Sequence, residues 1–76
     1  MFKLLDTVVL QRDLPEHRLC RGDLGAIVDL ASQDAFEVEF VAASGRTQAL
    51  LELRADDVRP VDDNDLIAVR HLEQAA

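Results

Sequence analysis

Seventy-six residues are enough for one domain, but a chain this short buries only about 60% of its unfolded surface and has no room for a deep, dry catalytic cavity. The net charge of −7, from 15 acidic and 8 basic residues, opposes binding to nucleic acid or to an anionic membrane. A single cysteine excludes an internal disulfide, and no apolar run reaches membrane-spanning length. These features predict a cytoplasmic protein that is not an enzyme and needs no cofactor or metal.

Short apolar runs separated by turn residues predict a mainly β domain with five strands. The predicted strands are Leu4 to Gln11, Gly25 to Leu30, Phe36 to Phe40, Thr47 to Leu53 and Val58 to Val61. An irregular loop from Asp13 to Asp23 separates the first two strands. Arg54 to Asp57 has the composition of a single helical turn before the last strand, where Pro60 favours an edge position. This order predicts a small SH3-like barrel, closed or nearly closed, over residues 1–61.

The third strand has the clearest pattern, because Phe36, Val38 and Phe40 alternate with two glutamates. Strict alternation is typical of a strand with one buried and one solvated face. A hairpin loop with Gly45 follows, and we expect Val41 to lie opposite Arg46. The remaining predicted pairs are Phe40–Thr47, Glu39–Gln48, Val38–Ala49, Glu37–Leu50 and Phe36–Leu51.

Residues 62–76 form a tail of different character. Leu66, Val69 and Leu72 recur at helical spacing, which predicts a short amphipathic helix from about Asp63 to Glu73. The alternative is a strand that extends the last one. Either form has apolar groups that the barrel or a second chain must cover, so a homodimer through the tail is open.

The pattern Gly22-x-x-Gly25-x-Ile27-x-x-Leu30 resembles the motif of KOW domains in ribosomal and transcription-elongation proteins. The longer run LLDTVVLQRDLPEHRLCRGDLGAIVDL through DAFEVEFVAASGRTQALLELRADDVRPV, residues 4–61, is similar to a family of short bacterial proteins of unknown function. That resemblance implies an SH3-like barrel and no established activity. Some members are encoded beside candidate toxin genes, which implies an antitoxin-like or immunity-like role.

The two glycines have a structural reading that needs no resemblance. No GK[ST] sequence and no following helix accompany them, so a phosphate-binding loop is a poor fit. We expect Gly22 and Gly25 to bracket a bend, after which Leu24 and Ile27 point into the core.

Side chains that could bind nucleic acid or perform chemistry are offset or incomplete. Three arginines of the first loop are balanced by three carboxylates, and base-stacking aromatics are few. Glu37, Glu39 and Glu52 have the pattern of a solvated outer face rather than an acid–base pair. His17 and Cys20 lack further metal ligands. The loop residues are Arg12, Arg18 and Arg21, opposed by Asp13, Glu16 and Asp23.

An acidic segment and the apolar tail form the candidate binding site. The acidic run lacks the order of a calcium loop, whereas it would attract a basic protein. The predicted partner-binding residues are Asp56, Asp57, Asp62, Asp63, Asp65, Leu66, Val69 and Leu72. We therefore expect a non-catalytic module that binds a partner protein. The alternatives are a KOW-like module on ribosomes, RNA or RNA polymerase, and an accessory barrel of a larger enzyme.

Overall fold

A computed structural model describes residues 2–72, which form five antiparallel strands in a single sheet. The strands are β1 Thr7–Leu10, β2 Leu24–Asp29, β3 Ala35–Val41, β4 Thr47–Arg54 and β5 Val58–Pro60. Their order across the sheet is β4-β3-β2-β1-β5. The predicted mainly β class, the strand sequence and the helical turn before β5 are confirmed, the last as a 3₁₀ turn at Ala55–Asp57. Within residues 2–72, no helix has the length and apolar character needed to cross a membrane.

The sheet is open, which corrects the predicted barrel closure. Strands β4 and β5 are its two edges, and each pairs with one neighbour only. Pro60 lies on the edge strand β5, as expected for a residue without a backbone donor. Closure needs a last strand long enough to reach both neighbours, and β5 has only three residues.

The core covers one face of the sheet and follows the predicted alternation on β3. Phe36, Val38 and Phe40 are buried, while Glu37 and Glu39 between them point to the other face. The ring of Phe36 also contacts that of Phe2, with centroids 5.2 Å apart. The first loop adds Leu14 and Leu19, both buried, on either side of a 3₁₀ turn at Pro15–His17. The burial of these two leucines was not predicted from the sequence.

The β3–β4 hairpin has the predicted faces but not the predicted register. Phe40 lies opposite Ala49 and Val38 opposite Leu51, two residues away from the expected partners. A bulge between Phe40 and Val41 absorbs Gln48 as an extra residue of β4. Because a shift of two preserves which side chains face the core, the hydrophobic pattern could not detect it. The remaining observed pairs are Ala35–Arg54, Phe36–Leu53, Glu37–Glu52, Glu39–Leu50 and Val41–Thr47.

The two glycines do different work. Gly22 has φ +99° in the turn before β2, a conformation that side chains rarely adopt. Gly25 lies within β2 and faces the core, where an added Cβ would lie 2.6 Å from Val38 Cγ1. Leu24 consequently points outward and is 36% exposed, which corrects its predicted place in the core, whereas Ile27 is fully buried as expected.

The tail prediction was wrong. Residues 61–72 form neither a helix nor a strand; they make one turn near Asp63 and Asn64 and then run without regular structure. The last residue of the predicted helix, Glu73, lies outside the described residues. The physical reason is that two Arg–Asp pairs, described below, tie this segment to the sheet.

Candidate functional site

The segment of residues 61–72, which we call the strap, is fixed at its start by a pair between Arg59 and Asp65. The guanidinium of Arg59 on β5 donates to both carboxylate oxygens of Asp65 at 2.8 Å. Asp65 also accepts the backbone N–H of Asp62 at 2.7 Å. These bonds lower the pKa of Asp65 to about 2, and the bond from Arg59 has the largest effect. The strap therefore begins with a bidentate anchor that stays ionised at neutral pH.

A second pair fixes the far end of the strap. Arg70 donates through Nε to Asp23 Oδ1 at 3.1 Å and through Nη2 to Asp23 Oδ2 at 2.6 Å. The same Nη2 reaches the carbonyl oxygen of Arg18 at 3.1 Å. Asp23 is itself held by the N–H of Cys20 at 2.8 Å. Because Asp23 directly precedes β2, this anchor ties the strap to the loop that enters that strand.

Between its anchors the strap crosses the face of the sheet opposite the core. Arg59, Val9 and Leu24 lie side by side on β5, β1 and β2. Val9 alternates with the core residues Val8 and Leu10, so it belongs to the outer face, yet it is only 6% exposed. The row lines one groove together with residues 65–72, so the strap lies on this side of the sheet. The apolar run Val8-Val9-Leu10 indicates this burial in the sequence, since unbroken apolar strands are typically buried on both faces.

A half-open groove of about 660 Å³ lies between the strap and the sheet. Its floor is apolar, with Val9, Leu24 and Val41, and Phe40 also lines it. The hairpin end of β3 and β4 forms the opposite wall. The polar lining includes both anchors together with Arg46, Gln48 and His71. The volume matches that of typical ligand and peptide pockets.

The strap turns its large apolar side chains outward. Leu66 is 94% exposed and Val69 is 99% exposed, and Ile67 between them is also exposed. Leu72 is half-buried and lines the groove. The backbone N–H and C=O groups of residues 66–69 make no hydrogen bond with any other residue from 2 to 72. The strap thus presents apolar groups and available backbone groups in one run.

The predicted acidic site is divided by the structure. Asp57 lies at the 3₁₀ turn, where its carboxylate accepts the N–H of Arg54 at 2.9 Å and the Nε of Arg12 at 2.8 Å. Burial acts to raise the pKa of Asp57, but those bonds lower it further than burial raises it. Asp62 accepts the N–H of Asn64 at 3.0 Å, which shapes the turn at the start of the strap. Asp56 and Asp63 are exposed.

Neither the basic cluster of the first loop nor the His17–Cys20 pair forms a site. Arg12 pairs with Asp57, and the N–H of Arg21 donates to Asp13 at 2.8 Å. The thiol of Cys20 is free and exposed. Among residues 2–72, no group of three or more histidine, cysteine or carboxylate side chains is placed to hold a metal ion.

The outer face of the sheet has a row of like charges. Asp29 lies opposite Glu37, and Glu37 lies opposite Glu52, on three neighbouring strands. The ion pairs found between described residues involve none of the three. Facing carboxylates destabilise a sheet, so this face carries an uncompensated negative charge.

The predicted site did not include Asp23, Arg59 or Arg70, on which the observed site depends. Asp23 and Arg70 are separated by 47 positions in the chain, and no local pattern links such distant residues. The long-range pairing became visible only in the fold.

Comparison with known proteins identifies the family without an activity. The family described as a domain of unknown function, DUF4926, matches residues 4–60. The searches of curated proteins and of solved structures returned no match. The match covers all five strands and ends where the strap begins. The chain belongs to the DUF4926 family.

Proposed function

We propose that this chain is a non-catalytic protein-interaction module that binds a partner protein through the strap and the groove beside it. The observation that carries the proposal is the exposure of Leu66 and Val69 on a segment that two bidentate ion pairs hold in place. Contiguous exposed apolar side chains on a small protein typically mark a protein-binding surface.

The energetics favour binding at this face. Covering each of the two side chains contributes about 1.5–3 kcal/mol. Much of the ordering cost of a flexible segment is already met, because the Arg59–Asp65 and Arg70–Asp23 pairs fix the strap before a partner arrives. The half-open groove offers a further apolar floor for a side chain of the partner.

The net charge of the chain favours one kind of partner over another. A net charge of −7, with Asp56 and Asp63 exposed, favours a partner that presents basic residues at the point of contact with the acidic turn. An antitoxin-like or immunity-like role is one form of this proposal, because such a protein acts by binding. Three of the eight basic residues, Arg12, Arg59 and Arg70, are paired with carboxylates, which together with the net negative charge disfavours nucleic acid.

We extend the proposal to the fold type and the compartment. An open form of the SH3-like barrel is supported by the five-stranded antiparallel order and by the 3₁₀ turn before β5. The free, exposed thiol of Cys20 supports a reducing compartment such as the cytoplasm.

The test compares capture of proteins by the tagged full chain and by two variants. Leu66→Ser/Val69→Ser removes the apolar groups of the strap. Leu50→Ser is the control, because Leu50 is 52% exposed on β4 and does not line the groove. We expect the unmodified chain and the control to retain the same protein, and the double variant to lose it while its circular dichroism is unchanged. Equal capture by all three chains, or no reproducible partner, would contradict the proposal.

A further inference from the structure

We propose that the protein bound at the strap is a second copy of this chain, in a two-fold dimer where residues 66–69 of the two copies pair as antiparallel strands. This inference rests on the proposed function, because it names the partner at the same face. It is carried by three features of the strap: its backbone, the positions of its apolar side chains, and the distribution of its charges.

The backbone of the strap is free to pair. Residues 66–69 have no regular structure and no backbone hydrogen bond to other described residues, and their side chains are exposed. An apolar segment with available N–H and C=O groups can pair with another strand. In a two-fold dimer the same segment supplies both strands, because a two-fold interface is formed by the same patch of each copy.

One register of the two strands brings the exposed apolar side chains of the two copies into contact. If the two-fold axis passes between Ile67 and Ala68, Leu66 of one copy lies opposite Val69 of the other, and the reverse pair forms by symmetry. These are the two most exposed large apolar side chains of the strap. Directly opposed residues in an antiparallel pair have Cβ atoms about 4.5–5.5 Å apart, which is contact distance for leucine and valine.

The same register matches opposite charges. The strap is acidic at its start, with Asp63 and Asp65, and basic at its end, with Arg70 and His71. Antiparallel pairing places the Arg59–Asp65 pair of one copy beside the Arg70–Asp23 pair of the other, and the exposed acidic turn at Asp63 beside His71. Residues 66–72 contain no carboxylate, so this is a run where two copies of a chain with net charge −7 can meet. A parallel pairing would instead set acid against acid.

The test is sedimentation of the full chain over a wide concentration range. An interface of one short strand pair and a few side chains is small, so we expect a dimer that dissociates at roughly micromolar concentration. Ala68→Pro, which removes a backbone donor at the axis, and Leu66→Ser/Val69→Ser should each lower the association constant about tenfold or more. Leu50→Ser should leave it unchanged. Circular dichroism of each variant reports whether the sheet is intact.

A crosslink tests the register directly. Chains with Ile67→Cys and chains with Ala68→Cys, both with Cys20→Ser, should form a mixed disulfide when combined, because these positions face each other across the axis. A chain with Leu50→Cys should not enter such a disulfide. A dimer that survives both strap variants would overturn the inference. So would a monomer at every concentration, and in that case strap-dependent capture of a different protein would leave the proposed function standing, whereas no capture would remove both.

Discussion

The close approach of Gly25 on β2 to the core predicts how much stability the substitution Gly25→Ala removes. A Cβ at this position would lie 2.6 Å from Val38 Cγ1, 2.9 Å from Phe40 Cε2 and 3.1 Å from the carbonyl oxygen of Glu39. Val38 and Phe40 are almost completely buried, so neither can move aside into solvent. Gly25→Ala therefore forces the strand away from the core.

The expected cost follows from two opposing effects. Overpacking a core typically destabilises by about 1–3 kcal/mol. Replacing glycine in a strand recovers about 0.5–1 kcal/mol of chain entropy. We expect a net loss near 1–2 kcal/mol, which for a domain of this size lowers the melting temperature by roughly 4–16 °C. Thermal and urea unfolding followed by circular dichroism measure both quantities.

A double-mutant cycle separates the clash from other causes. Val38→Ala removes the closest atom, so Gly25→Ala should cost less in that background, with a coupling of about 0.5–3 kcal/mol. Gly22→Ala is the control, because its Cβ would meet nothing within 4 Å and its cost comes from its positive φ. It should combine with Val38→Ala additively. Additive behaviour at Gly25, or no loss of stability, would refute the close-approach reasoning.

The other predictions concern charge. The pKa of Asp65 falls from 3.8 to about 2 on folding, so its stabilising effect is present above about pH 4 and is lost as the pH falls through 2. Thermal unfolding from neutral pH to pH 2 should show a loss of stability that is smaller in Asp65→Asn, and an equal loss in both chains would contradict this. Part of the loss remains in the variant, because the pKa of Asp57 is lowered as well. Glu52→Lys should stabilise by about 0.2–1 kcal/mol in thermal unfolding, since it places a cation opposite Glu37, and a lower melting temperature would contradict this. Arg70→Gln should release the strap and shift the methyl NMR signals of Val9; unchanged signals would show that the anchor is dispensable.

The faces of the strands were predictable from the sequence, whereas their register was not. Alternation at Phe36, Val38 and Phe40 determines which side is buried, because burial of a glutamate would be costly. A shift of two residues leaves that arrangement unchanged. Only the backbone of the turn, with a bulge at Gln48, distinguishes the two registers. The core position of Leu24 was predicted wrongly for a similar reason, because Gly25 faces the core but has no apolar side chain to indicate it.

The tail shows why helical spacing alone did not predict a helix. Five residues separate Asp65 from Arg70, which is about 8 Å along a helix and about 16 Å along an extended chain. Their partners, Arg59 on β5 and Asp23 before β2, are separated by two strand spacings, or about 10 Å. A span of about 10 Å lies between these two lengths, which agrees with the irregular path that the segment takes between its anchors. A short isolated helix also has little stability of its own.

The exposed side chains of the strap should affect association without affecting the stability of the fold. Leu66 and Val69 contact too little of the protein to stabilise its core, since both remain almost fully exposed. Val9, under the same segment, is covered and contributes to the fold. Substitutions at the first two positions should therefore change association with little effect on unfolding, whereas substitutions at Val9 should change both. The fold itself makes no use of the outward apolar groups, which is why we propose that they bind a partner.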